Sequence, residues 1–431
     1  MPSGVVRAYN VRSGELVWRL NTIPQQGEYG SDTWEEESWR SNGGANVWST
    51  MTVDLERGLI FLPVSTAGPD LYGGDRKGAN LFSDAVVALE ATTGKRVWHF
   101  QTVHHDLRDY DLAAPPILVT VELQGRSIDA VVQLTKMGFV YVLDRSTGKP
   151  LFPVEERPVP RSDVGGEEAW PTQPYPLKPP PIAAQRLSEE DLWDVTAEHL
   201  EECRKKLKAL CNEGIFTPPS EQGSILYPGA AGGTNWSGAA YDPHTNILYV
   251  PTNNLPMTQR LRKLPDSNFA QTDAKVMRTG WAGLWWALTG KGTGLRYSMT
   301  ERRILDVDGV PCNRPPWGTL TAIDLNLGEI RWQVPVGEPD GVKGLVDFGP
   351  PLLTASDLLF HAGTEDQRLW VYDAPTGEVL AKFELPAGLH AGPITYKLAE
   401  EGKQFLVVAP GGHRILGSKS GDYIIAYALP D

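Results

Sequence analysis

Residues 88–98 read ALEATTGKRVW: an apolar strand, a turn in which Thr93 precedes Gly94, and a second strand closed by Trp98. The glycine supplies the positive φ of a tight hairpin, and the Thr side chain can bond the turn backbone. The phrase recurs as AYNVRSGELVW (8–18), VLDRSTGKPLF (142–152), AIDLNLGEIRW (322–332) and VYDAPTGEVLA (371–381). Trp18, Trp98 and Trp332 each put a large apolar group at the same place in the unit. Two related stretches, MTVDLERGLIFLP (51–63) and AAYDPHTNILYVP (239–251), share the strand–turn–strand logic. One such hairpin is common in any β protein. Five copies with matched flanks point instead to one repeated supersecondary unit, as in the four-stranded blades of a propeller.

Composition agrees with an all-β chain. The 431 residues include 44 Gly and 35 Pro, which favours short elements and many turns over a helical bundle. The net charge of −13 makes nucleic acid an unsuitable partner, since phosphate binding needs clustered cations. Cys203, Cys211 and Cys312 form no CxxC pair; they allow one disulfide and leave one thiol over. No apolar run reaches the ~18 residues of a membrane span. The opening MPSGVVR has neither the basic nor the apolar region of a signal peptide.

An insertion is expected at about 150–225. It opens with a Pro-rich, extended run and continues as LSEEDLWDVTAEHLEECRKKLKAL (187–210). Ser188 and Asp191 form a capping-box pattern, predicting one or two surface helices from that point. A second irregular stretch, 255–312, contains WAGLWWALTG (281–290), whose aromatics read as packing residues.

Beyond these patterns, the chain resembles the pyrroloquinoline quinone (PQQ)-dependent quinoprotein dehydrogenases, nearest to the glucose dehydrogenase branch. The resemblance runs from about residue 4 to the C-terminus. It is carried by NVWSTMTVD, STAGPDLYGG, VWHFQTVHHDLRDYD, TKMGFVYVLDR, FTPPSEQG, GGTNWSGAAYDP and GDYIIAYALPD. It implies an eight-bladed propeller with the cofactor on its axis, and oxidation of a sugar, polyol or related alcohol with electrons passing to a quinone acceptor. A divalent metal, by default calcium with magnesium or a lanthanide as alternatives, would polarise the accepting carbonyl. A periplasmic location also follows from the resemblance.

Site residues follow motif by motif. Asp109, first of the D-x-D pair in HHDLRDYD, is the expected base and a metal ligand; Asp106 and Asp111 are its acidic neighbours, and Asp111 is a further candidate ligand. Arg108 stands where relatives usually carry Trp, so a guanidinium there could lower the pKa of Asp109. His104 and His105, adjacent on an extended segment, should point apart and support rather than chelate. Lys136 is expected against the quinone oxygens, stabilising the reduced cofactor. Trp48 is the expected stacking platform. Asn235 and Trp236 are expected at the cofactor, with Gly232 and Gly233 allowing close backbone approach. Thr66 falls at a metal-ligand position filled by Asn in alcohol-oxidising relatives, a hydroxyl that predicts looser binding.

A non-catalytic propeller scaffold of the cell envelope is the competing reading, and an inactive fragment of the enzyme a third. A scaffold has no use for Asp109, Lys136 and Asn235 together. The family's opening blades have no counterpart here, so the ring is expected to be incomplete, with about five to six blades. On this reading the chain alone binds PQQ weakly.

Overall fold

The structure, a computed structural model, describes residues 4–264, 296–338, 341–399, 402–414 and 416–428. The aromatics of 281–290 lie outside these residues. Six antiparallel sheets follow one another along the described chain. The first has two strands, Val5–Tyr9 and Leu16–Asn21. The second has four: Thr52–Asp54, Leu59–Pro63, Ala85–Glu90 and Arg96–Gln101. The third has three, Ile117–Leu123, Arg126–Leu134 and Val140–Asp144. The fourth has four: Ala240–Asp242, Ile247–Asn253, Gly318–Asp324 and Glu329–Pro335. The fifth also has four: Leu352–Leu353, Leu358–His361, Arg368–Asp373 and Val379–Glu384. The sixth has three, Ile394–Lys397, Gln404–Val408 and Ile425–Ala428.

The sheets stack face to face, and the core lies between them. In the third sheet Val131, Tyr141 and Leu143 pack toward Phe61, Ala88 and Trp98 of the second. Their neighbours Ala130, Val132, Val140 and Val142 pack toward Leu248, Val250 and Ile323 of the fourth. Successive side chains leave a strand on opposite faces, so a strand buried on both reads as a continuous apolar run. Ala85–Glu90 and Gly318–Asp324 are buried along nearly their whole length for that reason.

The repeated phrase proves to be the joint between sheets. Trp18 donates its indole N–H to the Ala91 carbonyl (2.9 Å), Trp98 to Arg145 (3.0 Å) and Trp332 to Ala374 (3.0 Å). Each indole also covers the turn glycine of the next phrase. A Cβ at Gly94, Gly148 or Gly377 would lie 2.5, 2.5 or 2.9 Å from the Trp18, Trp98 or Trp332 ring. Phe152 substitutes for Trp in the third copy and meets Gly328 in the same way, at 3.0 Å. The fifth copy ends in Ala381. A cavity of about 390 Å³ lies between the fifth and sixth sheets, lined by Leu358, Phe360, Leu369, Phe383, Leu406 and Tyr427.

Residues 150–225 contain the hairpin Val154–Pro158/Thr172–Pro176 and helix α1 (Ala197–Ala209). The Ser188–Asp191 capping box forms, but it opens only the short 3-10 turn Glu189–Asp191. The chain becomes extended at Leu192, which is buried, and α1 starts afresh with the Thr196 hydroxyl accepting from the His199 N–H (3.0 Å). A three-stranded sheet of Ser224–Leu226, Met257–Lys263 and Tyr297–Ile304 lies beside α1. The Cys203–Cys312 disulfide joins α1 to the segment after that sheet, and Cys211 is free. Leu187, Leu192, Leu207, Ile225 and Leu305 pack around the bridge.

Candidate active site

The loop after Arg96–Gln101 carries HHDLRDYD. Asp106 anchors it from within: its carboxylate accepts the backbone N–H of Arg108 (2.9 Å) and of Tyr110 (2.7 Å). This tight wrapping places Asp109 at φ 62°, a left-handed conformation that Asp tolerates better than most residues. The Asp109 and Asp111 side chains emerge on one side, 18% and 14% exposed.

Lys136 enters between them. Its ammonium donates to the Asp109 carbonyl (2.9 Å), to Asp109 Oδ1 (3.2 Å) and to Asp111 Oδ2 (3.0 Å). All three of its protons have acceptors. Gly232 lies against it so closely that a Cβ there would come within 2.7 Å of Lys136 Cγ. The Gly233 N–H donates to the Lys136 carbonyl (2.6 Å). Gly232 thus lets the chain lie against Lys136, while a Cβ at Gly233 would meet Ala183 Cβ (2.9 Å) and the Gly138 backbone (3.0 Å).

Burial dominates the electrostatics. It pushes the Asp109 carboxyl up to about 7, with Asp111 adding to the rise and Lys136 and Arg302 opposing it. Burial also pushes Asp111 up, but Lys136 and the Thr66 N–H (2.7 Å) outweigh it and hold Asp111 below the ordinary range. For Lys136 burial acts downward, yet Asp111 and Asp109 keep it above its usual value and charged.

Several expected roles change. The Thr66 hydroxyl is turned inward, 2.8 Å from both Asp84 and Asp106, where it can donate its proton to only one of them. Asp84 is fully buried and pushed well above the carboxylate range by burial and by Asp106 and Asp111. Thr66 thus braces the carboxylate patch through its hydroxyl and its N–H, instead of offering that hydroxyl outward as a metal ligand. Arg108 does not reach Asp109. It is buried, donates to the Phe216 carbonyl, and holds its guanidinium carbon 5.4 Å from the Phe216 ring. The guanidinium on Asp109 Oδ2 belongs to Arg302, which the sequence reading missed. No motif marks Arg302; it lies 193 residues from Asp109, on the strand Tyr297–Ile304 within the 255–312 stretch that the sequence suggests is irregular.

His104 and His105 do point apart, although they sit in a loop beyond the strand. His104 contacts Gln101 (2.8 Å) and Glu156 (3.1 Å), and buried His105 contacts Glu167 (2.9 Å) and Asn80 (2.9 Å). Asn235 is buried with its amide engaged locally, donating to the Ala231 carbonyl (2.7 Å) and accepting from the Trp236 N–H (2.8 Å). Trp236 stacks on Phe348 at 5.0 Å and 15°. The Trp48 indole is half exposed.

The donor set suits a planar, polyanionic quinone beside a hard cation. Lys136 and Arg302 supply positive charge, and Asp109 and Asp111 hard oxygens. Arg302 Nε, like Arg76 Nε and Arg108 Nε, is buried without a hydrogen-bond partner. Among the described residues no three His, Cys, Asp or Glu side chains are arranged to hold a metal ion by themselves.

Residues 1–406 match the family model of the PQQ glucose/ethanol/alcohol dehydrogenase β-propeller domain. The chain is 36% identical, over its full length, to the quinate/shikimate dehydrogenase (quinone) of Acinetobacter baylyi, covering 54% of that protein. It is 35% identical to the quinoprotein glucose dehydrogenase of Escherichia coli, again over its full length and 54% of the relative. The chain thus spans about half the length of these curated relatives. Among solved structures, the quinohemoprotein alcohol dehydrogenase of Comamonas testosteroni superposes with a TM-score of 0.65 at 22% identity, over 99% of this chain and 56% of that one. From the sheet order, the sequence match and the superposition, this chain belongs to the PQQ glucose/ethanol/alcohol dehydrogenase β-propeller family.

Proposed function

We propose that the chain carries the base and the cofactor-facing cations of a PQQ-dependent dehydrogenase acting on a CH–OH group of a sugar, polyol or related alcohol. The relatives' names, which include glucose, quinate/shikimate and glycerol dehydrogenases, support that substrate range. The observation that carries the reading is Asp109, a nearly buried carboxyl held between the Lys136 ammonium and the Arg302 guanidinium at the mouth of its loop. A carboxylate fixed in that way is a positioned acceptor for a hydroxyl proton.

In this reading Asp109 takes the substrate's hydroxyl proton. Lys136, charged and aligned by both aspartates, stabilises negative charge developing beside it. Asp109 and Asp111 would hold the cation, calcium by default, and Asp84, Thr66 and Asp106 keep that patch in place. Trp48, Asn235 and Trp236 would bind and orient the ring. PQQ, when bound, supplies the two-electron acceptor for the C–H hydrogen, and a quinone would reoxidise it. The Cys203–Cys312 disulfide supports an oxidising compartment such as the periplasm. No helix among the described residues is long and apolar enough to cross a membrane.

The test is reconstitution of the protein with PQQ and calcium, followed by dye reduction with glucose, quinate and glycerol. Chelation should abolish turnover, and PQQ with calcium should restore it. Restoration by NAD alone would overturn the reading.

A further inference from the structure

Asp84 and Asp106 are two fully buried carboxyls that take no direct part in the chemistry above. The buried arginines of this region spend their donors elsewhere. Arg108 donates to the Phe216 carbonyl, and Arg76 to Asn80 Oδ1 (2.9 Å) and to the Pro69 (2.9 Å) and Asp106 carbonyls. What joins the two carboxyls is one hydroxyl. Thr66 Oγ1 lies 2.8 Å from Asp84 Oδ1 and 2.8 Å from Asp106 Oδ2. Asp106 also accepts the N–H of Arg108 (2.9 Å) and of Tyr110 (2.7 Å). The other Asp84 oxygen takes the Ser83 hydroxyl (2.6 Å), whose own oxygen accepts the Ala67 N–H (3.0 Å).

We propose that Asp84 is a neutral carboxylic acid whose O–H aims the Thr66 hydroxyl at Asp106, and that it thereby positions the loop carrying the base. The inference rests on the reading of Asp109 as the base. A hydroxyl has one proton to give and lone pairs with which to accept. Thr66 can donate to only one of the two carboxyls. Its contact with the other closes only if that carboxyl brings a proton of its own. With both ionised, a lone pair would face a carboxylate oxygen at 2.8 Å inside the protein, where an unmatched polar contact is costly. Two backbone N–H groups already point at Asp106 and need an acceptor there, so the proton belongs on Asp84. Burial and the charges of Asp106 and Asp111 act on Asp84 in the same direction.

The order of donors is then Asp84 Oδ1–H to Thr66 Oγ1, and Thr66 Oγ1–H to Asp106 Oδ2. It ends on the carboxylate that wraps Arg108 and Tyr110 and sets Asp109 at φ 62°. The same threonine holds Asp111 through its backbone N–H (2.7 Å). One buried acid therefore fixes a residue that serves both exposed carboxylates. An ionised Asp84 would reverse the order. It would take the Thr66 proton for itself, turn a lone pair on Asp106 and loosen the loop under Asp109.

Asp84 sits at φ 52°, a conformation that Gly and Asn both accept. Asp84→Gly therefore removes the donor, and Asp84→Asn keeps one, without new backbone strain. The infrared difference spectrum of the 431-residue chain minus its Asp84→Asn variant, at neutral pH, should show the C=O stretch of a protonated carboxylic acid. Asp84→Gly should speed hydrogen exchange of the Arg108 and Tyr110 amides by at least about tenfold, the scale of one buried hydrogen bond. Asp84→Asn should restore most of that protection. In the enzyme reconstituted with PQQ and calcium, Asp84→Gly should lower kcat by at least about tenfold with KM within about twofold, and Asp84→Asn should recover most of the loss. Carboxylate bands in place of the acid band overturn the proposal, whether or not Asp84→Gly folds. So does an Asp84→Asn variant as impaired as Asp84→Gly, or an active Asp84→Gly enzyme with kcat unchanged. If the acid band and the exchange pattern hold in a protein that oxidises no alcohol, the dehydrogenase reading falls and the assignment of Asp84 stands.

Discussion

Gly148→Ala tests the joint that stacks the sheets, and Gly125→Ala is its internal control. Both glycines have nearly the same backbone, φ +71° and +73°. An alanine at either position meets the left-handed penalty of about 1–2 kcal/mol. At Gly125 the new Cβ finds no atom within 4 Å, so the cost stops there. At Gly148 it would lie 2.5 Å from Trp98 Cε3 and 2.6 Å from Cδ2. Trp98 is 6% exposed and tethered by its N–H to the Arg145 carbonyl, so it has little room to move. Overpacking of that kind adds about 1–3 kcal/mol. The expected destabilisation is therefore about 1–2 kcal/mol for Gly125→Ala and about 2–5 kcal/mol for Gly148→Ala. Urea unfolding followed by tryptophan fluorescence gives both midpoints, with the slope checked for constancy. If the two variants differ by less than about 0.5 kcal/mol, well below the overpacking range, the docking of indole on glycine is not what joins the sheets.

Asp109→Asn in the reconstituted enzyme should keep PQQ bound and lower kcat by at least about 10²-fold, the scale of a positioned base. Asp106→Asn should act on stability first, since Asp106 is fully buried and holds two backbone N–H groups of its loop; a thermal melt reads this. The Cys203–Cys312 bridge closes a separation of 109 residues, so the double Ser variant should lose roughly 3–5 kcal/mol by denaturant titration. His99 is driven down to about 4 by burial and then by Arg96, so the folded state keeps it neutral where the unfolded chain would protonate it. The unfolded state then binds more protons between pH 6.5 and about 4, and stability falls as pH falls through that window. His99→Gln should flatten this part of a plot of melting temperature against pH.

The repeated hairpin was legible in the sequence because its determinants are local. A turn glycine, its Thr or Asx neighbour and the flanking apolar alternation all lie within eleven residues, and they suffice to predict a blade-like unit. Asp109, Asp111 and Lys136 were picked out by the resemblance of their short motifs to the family's, and the structure brings the three side chains together. The capping box at Ser188 was local too, and it formed, but burial of Leu192 ended its turn and moved the helix start to Thr196. What the closing tryptophans touch was not local. Trp18 meets a glycine 76 positions on and Phe152 one 176 positions on, because stacked sheets bring together turns that intervening insertions separate. Likewise the choice of Cys312 over Cys211 as partner for Cys203, the inward turn of Thr66 and the arrival of Arg302 at Asp109 depend on how distant strands are placed. Hydrogen-bonding capacity and hydrophobic period belong to the residue and its neighbours; which cation meets which carboxylate is decided only when burial removes water and leaves each charge the partners that the tertiary structure has put within reach.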